Sequence, residues 1–234
     1  YGDAAQNAGG MVLSLEGSAE ETVLDTATGT LTAGAGVSLH DLLKVIVPQG
    51  FFVPVTPGTR FVTVGGAIAS DIHGKNHHVE GSFGNHVRRL TLMLADGTIH
   101  DIGPNQNPTL FWATVGGMGL TGVILEATFS LIPIETSLCT VNTIRCRNID
   151  VLIDEMSHGD DDHRYSVAWA DLLATGSRLG RSVLWRGDHT KLAELSSKEA
   201  ADALKYEPKQ LAAVPPLIPS FGFVNKLSST LFNE

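Results

Sequence analysis

A mixed fold of helices and hairpin-linked strands, in two regions that meet near residues 135–140, is what the sequence predicts. The first region is rich in glycine and in strand-like runs joined by turns. After Pro133 the pattern changes to alternating helix-like and strand-like segments with charged runs, such as residues 154–165. The chain has 234 residues, of which 43% are hydrophobic, so its length and composition allow a sizeable core in one large or two modest domains.

The first strands are expected near the start of the chain. "MVLSL" (11–15) has the composition of a short strand, and "FFVPV" (51–55) reads as another. Between them, residues 22–36 place β-forming residues on both sides of Thr28-Gly29, which predicts a hairpin.

A helix is predicted within "SLHDLLKVIVPQG" (38–50). Its leucine and isoleucine residues recur at helical spacing, and Ser38 suits the N-cap position. Pro48 and Gly50 supply the signal for its end.

Further along, Asp96-Gly97 between two apolar runs in 88–103 gives the strongest hairpin signal of the chain. "NPTLFWATVGG" (107–117) indicates a short helix that ends in glycines, and 121–134 reads as one long strand. "SVAWADLL" and "GRSVLWRG" indicate strands in the second region.

Charge and composition exclude some classes of protein. The net charge of −9 argues against a nucleic-acid partner, because phosphate contacts need clustered lysine and arginine. No apolar run reaches the roughly 18 residues of a membrane span. The two cysteines, Cys139 and Cys146, are expected to be buried thiols, unless their geometry allows them to pair.

"TVGGAIASDIHGKNHH" (63–78) combines small apolar residues with three histidines and a lysine. The Gly-Gly pair allows positive φ and close backbone approach, and its amides could face an anion; the alternative is simple turn chemistry. His73 and His77 have the spacing of metal ligands on a helix, but Gly74 disfavours that helix. A loop that lines a ligand and a solvated polar loop are the two further interpretations.

"LFWATVGGMGLTGVI" (110–124) is the second informative stretch. An aromatic helix runs into several glycines and then into a β-branched strand. Such backbone either presses against a planar ring or packs a helix tightly onto a strand, and the pattern does not decide between these alternatives.

Together with "GSFGNHV" (81–87) and "RYSVAWADLL", these stretches resemble the vanillyl-alcohol-oxidase-type FAD-binding superfamily. Within it, "YGDAAQN" and "DIHGKNHH" are most similar to the flavoprotein subunits of decaprenylphosphoryl-β-D-ribose 2′-epimerases. The resemblance covers nearly the whole chain. It implies an α+β fold: a two-subdomain, PCMH-type FAD-binding domain over 1–137, followed over 138–234 by part of an α+β substrate domain with an antiparallel sheet.

The same resemblance implies a non-covalent FAD site and no metal. The residues that match the family's FAD contacts are Tyr1, Gly2, Asp3, Ala4, Gly58, Thr63, Val64, Gly65, Gly66, His73, Gly74, Lys75, Asn76 and Ile124. His73 and Lys75 would face the redox site, where they either act on the sugar hydroxyl or position the flavin. A histidine has a suitable pKa for a base near neutral pH.

The implied activity is oxidation of a polyprenyl-phosphoryl ribose at C2′ to the keto sugar. An NAD(P)H-dependent reductase partner would then complete epimerisation to the arabinose form, for cell-wall arabinan synthesis. The implied location is the cell envelope or periplasm, at a membrane surface. The alternatives are another carbohydrate or alditol oxidase of the superfamily, and a non-catalytic module without cofactor.

Two features of the chain's ends add expectations. Because "YGDAAQN" opens in the middle of a motif, we expect the chain to be a fragment that lacks most of the pyrophosphate loop. Residues 209–234 combine apolar side chains with Pro215, Pro216 and Pro219, which obstruct regular structure. We expect this segment to be mobile, to pack poorly and to guide the lipid chain of the substrate.

Overall fold

The computed structural model describes residues 8–15, 22–208 and 228–230, and all structural statements concern these residues. The strands are β1 (Val23–Asp25), β2 (Thr30–Gly34), β3 (Phe51–Phe52), β4 (Val87–Met93), β5 (Ile99–Ile102), β6 (Val123–Ser130), β7 (Ile132–Pro133), β8 (Cys139–Cys146), β9 (Tyr165–Asp171) and β10 (Arg181–His189). The helices are α1 (Leu39–Ile46), α2 (Val64–Ala69), α3 (His77–Glu80), α4 (Pro108–Thr114), α5 (Ile149–Gly159) and α6 (Ser197–Ala200).

The largest sheet in the described residues has the strand order β1-β2-β6-β4-β5, and every neighbouring pair is antiparallel. Its main core contains Leu31, Leu42, Ile68, Leu90 and Phe129, which come from β2, α1, α2, β4 and β6 and are all fully buried. Strands β2 and β6 are far apart in the sequence but are neighbours in this sheet, so the start and the end of the first region lie side by side. The strands and helices that flank the candidate site therefore share one core.

The predicted helix at 38–50 is confirmed as α1. The Ser38 hydroxyl caps it by accepting a hydrogen bond of 3.1 Å from the Asp41 backbone N–H. The chain then tightens into a 3-10 turn with Pro48 and leaves through Gly50 in the left-handed region, at φ 82°.

Both predicted hairpins are present. β1 and β2 pair antiparallel around Gly29, which has φ 64°. β4 and β5 pair around Gly97, which has φ 82°. Glycine meets the steric demand of these turns, because a side chain disfavours positive φ.

Three expectations about strands need correction. Residues 11–15 form no strand in the described segment 8–15, and Met11, Val12 and Leu13 are exposed. Residues 51–55 contribute only Phe51–Phe52 to β3. The run 121–134 divides at Leu131 into β6, in the large sheet, and β7, which pairs with β3.

A second sheet has the order β8-β10-β9, and β9 and β10 are antiparallel. Its core of Cys146, Leu152 and Leu184 packs the sheet against α5. Arg186, buried in β10, donates to Asp160 at 2.9 Å and to the Glu155 carbonyl oxygen. Paired in this way, the buried guanidinium avoids the cost of an unpaired charge.

The described residues form two compact units. One holds the residues through Leu138 together with His189–Tyr206, and the other holds Cys139–Asp188. The domain assignment 1–137 and 138–234 remains a prediction. Among the described residues, no helix combines the length and apolar character that a bilayer crossing requires.

Two further expectations concern the cysteines and the C-terminal segment. Both cysteines are thiols; Cys146 is buried as expected, whereas Cys139 is exposed at the start of β8. Although Cys139 is exposed as a residue, partial burial of its thiol, with a smaller effect of the Asp188 carboxylate, raises the pKa of that thiol. The prediction for 209–234 lies outside the described residues, apart from 228–230.

Candidate functional site

The two informative stretches of the sequence meet at α2. The helix begins after Thr63, whose hydroxyl accepts a hydrogen bond of 3.2 Å from the Gly66 backbone N–H. At its other end, Gly116 N–H donates to the Ile68 carbonyl oxygen at 3.0 Å, and Met118 N–H donates to Ala69 at 2.8 Å. The turn after α4 therefore closes the C-terminal end of α2.

The amides at the start of α2 are already engaged, which favours the turn-chemistry alternative over an anion nest. Val64 N–H donates to the Val37 carbonyl oxygen at 2.9 Å, and Gly65 N–H donates to Ala35 at 2.8 Å. With the Gly66 amide bonded to the N-cap, these three donors have protein acceptors. A ligand at this turn would be held by shape and by neighbouring groups rather than by these amides.

The glycines here serve close approach rather than positive φ. None of Gly58, Gly65 and Gly66 is in the left-handed region. A Cβ at Gly65 would lie 2.9 Å from Ala35 Cβ, so the helix needs glycine to pack on that strand end. At Gly58, by contrast, no described atom lies within 4 Å of a Cβ built there, so its open side is free for a ligand.

Ile124 lies on β6 and is 6% exposed, next to Leu92 across the sheet. Ala35 connects this strand to α2, because its N–H donates to Leu125 at 2.9 Å while its carbonyl oxygen accepts from Gly65. The fold therefore brings Ile124 into the same neighbourhood as the Gly-Gly turn.

The loop between α2 and α3 is held against residues 54–56. Lys75 N–H donates to the Thr56 carbonyl oxygen at 3.0 Å, and Gly74 packs so closely on Thr56 that a Cβ would clash with its backbone. Asn76 is fully buried, and its carboxamide bonds to the Pro54 carbonyl oxygen and the Thr56 N–H. The sequence did not identify Thr56 as part of this site. Thr56 contributes through its backbone carbonyl oxygen and N–H, and any residue type could supply these groups.

His73 is exposed on this loop and Lys75 is half-buried. The His73 and His77 rings lie edge to face at 6.2 Å between centroids, and a ring nitrogen of His77 lies 3.1 Å from the Gly74 carbonyl oxygen.

Within the part of the chain that the structure describes, no three His, Cys, Asp or Glu side chains form a group that could hold a metal ion. Tyr1, Gly2, Asp3 and Ala4 lie outside the described residues.

An aromatic and cationic cluster follows Gly58 in the chain. Phe61 is exposed, with the Arg60 guanidinium 5.1 Å from its ring centroid and the His40 ring at the same distance. Burial, followed by the charges of Lys44 and Arg60, lowers the pKa of His40. His40 therefore favours its neutral form in this cluster.

The surface around the turn fits a flat, largely apolar ring. Leu120 is 91% exposed and Met118 is about half exposed, and Gly116 and Gly119 are exposed beside them. A Cβ at Gly119 would have no described atom within 4 Å. An apolar surface with a few polar groups at its border is typical of cofactor sites, and His73 and Lys75 supply such groups on the neighbouring loop.

Residues 1–103 match the family of FAD binding domains. This part of the chain is therefore similar to FAD binding domains, and the cofactor is FAD, as the sequence resemblance implied. The predicted α+β, PCMH-type fold is confirmed.

Individual relatives of the chain include oxidases of sugars and of sugar lactones. The chain is 44% identical, over 97% of its length, to decaprenylphosphoryl-β-D-ribose oxidase of Mycolicibacterium smegmatis, and it covers 50% of that protein. It is 42% identical to an uncharacterized protein of Streptomyces coelicolor over 82% of the chain and 51% of that protein. D-arabinono-1,4-lactone oxidase of Yarrowia lipolytica is 28% identical over 69% of the chain and 29% of its own length. The chain thus spans about half the length of the first two relatives.

Proposed function

We propose that the protein performs the FAD-dependent oxidation of decaprenylphosphoryl-β-D-ribose at C2′, which gives the 2′-keto sugar. The observation that carries this proposal is the 44% identity to decaprenylphosphoryl-β-D-ribose oxidase over 97% of the chain. The site supports it, because an open glycine surface lies beside a loop that bears one histidine and one lysine. Bound FAD would supply the hydride acceptor.

The protein's own residues would handle the proton and the charge. His73 is exposed, and hydrogen bonds to residues 54–56 hold the backbone of its loop in place. His73 can therefore hold the C2′ hydroxyl and take up its proton. The Lys75 ammonium would stabilise negative charge that develops on the sugar oxygen or on the reduced ring. A role for either residue in positioning the flavin remains the alternative within this proposal.

We extend the proposal to the partner and the location. A keto sugar must be reduced on the opposite face to give the epimer, which calls for an NAD(P)H-dependent reductase. The polyprenyl chain would hold the substrate at a membrane surface, and the cell envelope or periplasm is the compartment where such lipid-linked sugars serve cell-wall synthesis.

Conversion of the ribose substrate to the arabinose form tests the proposal. The FAD-loaded protein is incubated with decaprenylphosphoryl-β-D-ribose, an NADPH-dependent keto-sugar reductase and NADPH, and the sugars are separated after hydrolysis. We expect arabinose only when both proteins are present. Absence of both the keto sugar and arabinose would contradict the proposal.

A second candidate is an oxidase of a free carbohydrate, alditol or lactone, which the similarity to D-arabinono-1,4-lactone oxidase favours over 69% of the chain. Such an enzyme would pass electrons to oxygen. Rapid reoxidation of the reduced flavin by air, with hydrogen peroxide formed, would favour it over the first proposal. A third possibility, a module without cofactor, predicts no visible flavin absorbance after incubation with FAD.

A further inference from the structure

We propose that Asp71 is a positioning residue that sets the geometry of His73 and Lys75 against the bound cofactor. The proposal rests on the proposed function for its catalytic readout. Asp71 does not belong to the residues that match the family's FAD contacts, and its side chain bonds to protein backbone.

The backbone at Asp71 adopts a conformation that side chains disfavour. Its φ is 40°, in the left-handed region, and its N–H donates to the Ile68 carbonyl oxygen at 3.0 Å as the chain leaves α2. The next residue, Ile72, donates back to Ala67 at 3.0 Å and accepts from Phe83 at 2.9 Å. Asp71 therefore turns the chain sharply out of the helix and into the loop that carries His73.

The carboxylate of Asp71 holds this turn to a second loop. Oδ1 accepts a hydrogen bond of 2.9 Å from the Gly84 N–H, and a Cβ at Gly84 would come within 3.0 Å of that oxygen. Gly84 is buried and also packs closely on Val115. A side chain at position 84 would separate the two loops, so glycine there permits the contact.

A third loop reaches the same residue. A Cβ at Gly116 would lie 3.4 Å from Asp71 Cβ, and Gly116 N–H bonds to the end of α2. The segments 70–76, 81–87 and 115–119 thus meet at Asp71. These segments belong to the motif stretches 63–78, 81–87 and 110–124.

The segment between Asp71 and Asn76 is fixed at both ends. Asp71 ties the first end to Gly84, and Asn76 ties the other end to residues 54–56. His73 and Lys75 lie between these two attachments. Because an active group misplaced by about 1 Å can cost about a hundredfold in rate, loss of either attachment should be visible in turnover.

Two substitutions separate the hydrogen bond from the backbone conformation. Asp71→Asn retains an oxygen that can accept from Gly84, and asparagine tolerates the left-handed region. Asp71→Gly accepts positive φ without strain but has no acceptor. The pair therefore tests the hydrogen bond while the backbone preference is kept.

In the FAD-loaded protein we expect Asp71→Asn to stay within about twofold of the wild-type kcat, and Asp71→Gly to lose at least about tenfold in kcat with a smaller change in KM. The Gly84 amide should remain protected from hydrogen exchange in Asp71→Asn and become unprotected in Asp71→Gly. Wild-type turnover in Asp71→Gly would overturn the proposal. Loss of turnover in Asp71→Asn while the Gly84 amide stays protected would also overturn the proposal. This result for Asp71→Asn decides the question if Asp71→Gly fails to fold.

A spectroscopic readout keeps the result independent of the substrate. If decaprenylphosphoryl-β-D-ribose does not reduce the wild-type protein, the proposed function fails. The visible circular dichroism of bound FAD still tests the geometry: we expect Asp71→Gly to change it and Asp71→Asn to preserve it. Identical spectra in the wild type and both variants would overturn the role of Asp71.

Discussion

The carboxamide of Asn76 donates a hydrogen bond of 2.6 Å to the carbonyl oxygen of Pro54. Its oxygen also accepts from the Thr56 N–H at 3.1 Å, and the side chain is fully buried. A buried amide with both ends engaged has little capacity left for a ligand. The side chain of Asn76 therefore holds the loop that carries His73 and Lys75, and a contact of Asn76 with the cofactor stays a prediction.

Asn76→Ala should destabilise the fold. It removes both hydrogen bonds and leaves the Pro54 carbonyl and the Thr56 N–H without this partner, so we expect a loss of about 2–4 kcal/mol in the free energy of unfolding. Urea unfolding measures it. Asn142→Ala is the matched control, since Asn142 is exposed on β8 and its replacement should be nearly neutral. Equal stability of the two variants would show that the Asn76 bonds contribute nothing net.

Gly58→Val should weaken FAD binding without weakening the fold. No described atom lies within 4 Å of a Cβ at Gly58, so the folded chain has space for a side chain that a closely approaching cofactor would not tolerate. We expect the Kd for FAD to rise at least about tenfold with an unchanged Tm, measured by flavin fluorescence titration and thermal unfolding. Gly97→Ala, in the β4–β5 turn at φ 82°, is the opposite control, with a lower Tm and unchanged Kd. A wild-type Kd in Gly58→Val would remove Gly58 from the cofactor site.

Lys75→Ala should lower turnover by more than roughly tenfold while FAD stays bound, because an ammonium that stabilises developing charge is lost. Stopped-flow reduction of the flavin by substrate reports the step. Lys44→Ala is the matched control, since Lys44 makes an exposed ion pair with Asp41 on α1. If Lys75→Ala behaves like Lys44→Ala, Lys75 is a solvated loop residue.

FAD should be released completely when the protein is denatured. His73 is exposed, and the resemblance that points to FAD is to a non-covalent type, so we expect no bond between a histidine and the flavin. Acid precipitation followed by absorbance of the supernatant measures the released cofactor. Yellow colour retained in the pellet of the wild type and lost in His73→Ala would contradict the expectation.

Acid should destabilise the second unit partly through Asp188. Burial acts to raise the pKa of this carboxyl, but hydrogen bonds from His163 at 2.8 Å and from the Arg164 N–H outweigh it, so the folded-state pKa lies below the ordinary 3.8. A depressed pKa means that the stabilisation is present above about pH 4 and is lost as the pH falls further. Asp188→Asn should therefore lose less stability than the wild type between about pH 6 and about pH 3. Exposed Asp161→Asn should follow the wild type, and parallel curves for all three proteins would contradict the assignment.

Local signals predicted the local elements well. Ser38 and Pro48 mark the ends of α1, and the Asp96-Gly97 dipeptide marks the β4–β5 hairpin, because caps and tight turns depend on the residue types at the turn itself. Strand lengths were predicted less well. Residues 11–15 have strand composition but are not in a strand, because strand formation depends on tertiary context as well as on residue type.

The candidate site was predictable in its segments and not in its contacts. The motif stretches contain His73 and Lys75, yet the amides of Val64 and Gly65 bond to Val37 and Ala35, which lie well before α2 in the sequence. The bond from Gly84 to Asp71 joins residues thirteen apart through a side chain that looked unremarkable in the sequence. Such pairings follow from the tertiary arrangement of loops, which periodicity does not encode.

Anaerobic reduction of the bound flavin by decaprenylphosphoryl-β-D-ribose tests the central claim most directly. The protein is loaded with FAD, oxygen is removed, and the visible flavin absorption band is followed after addition of the substrate, with the arabinose epimer, D-arabinono-1,4-lactone and an alditol as comparisons. We predict that the ribose substrate bleaches the band and that the lactone and the alditol do not. A band that persists with the ribose substrate but is bleached by the lactone or the alditol would contradict the account.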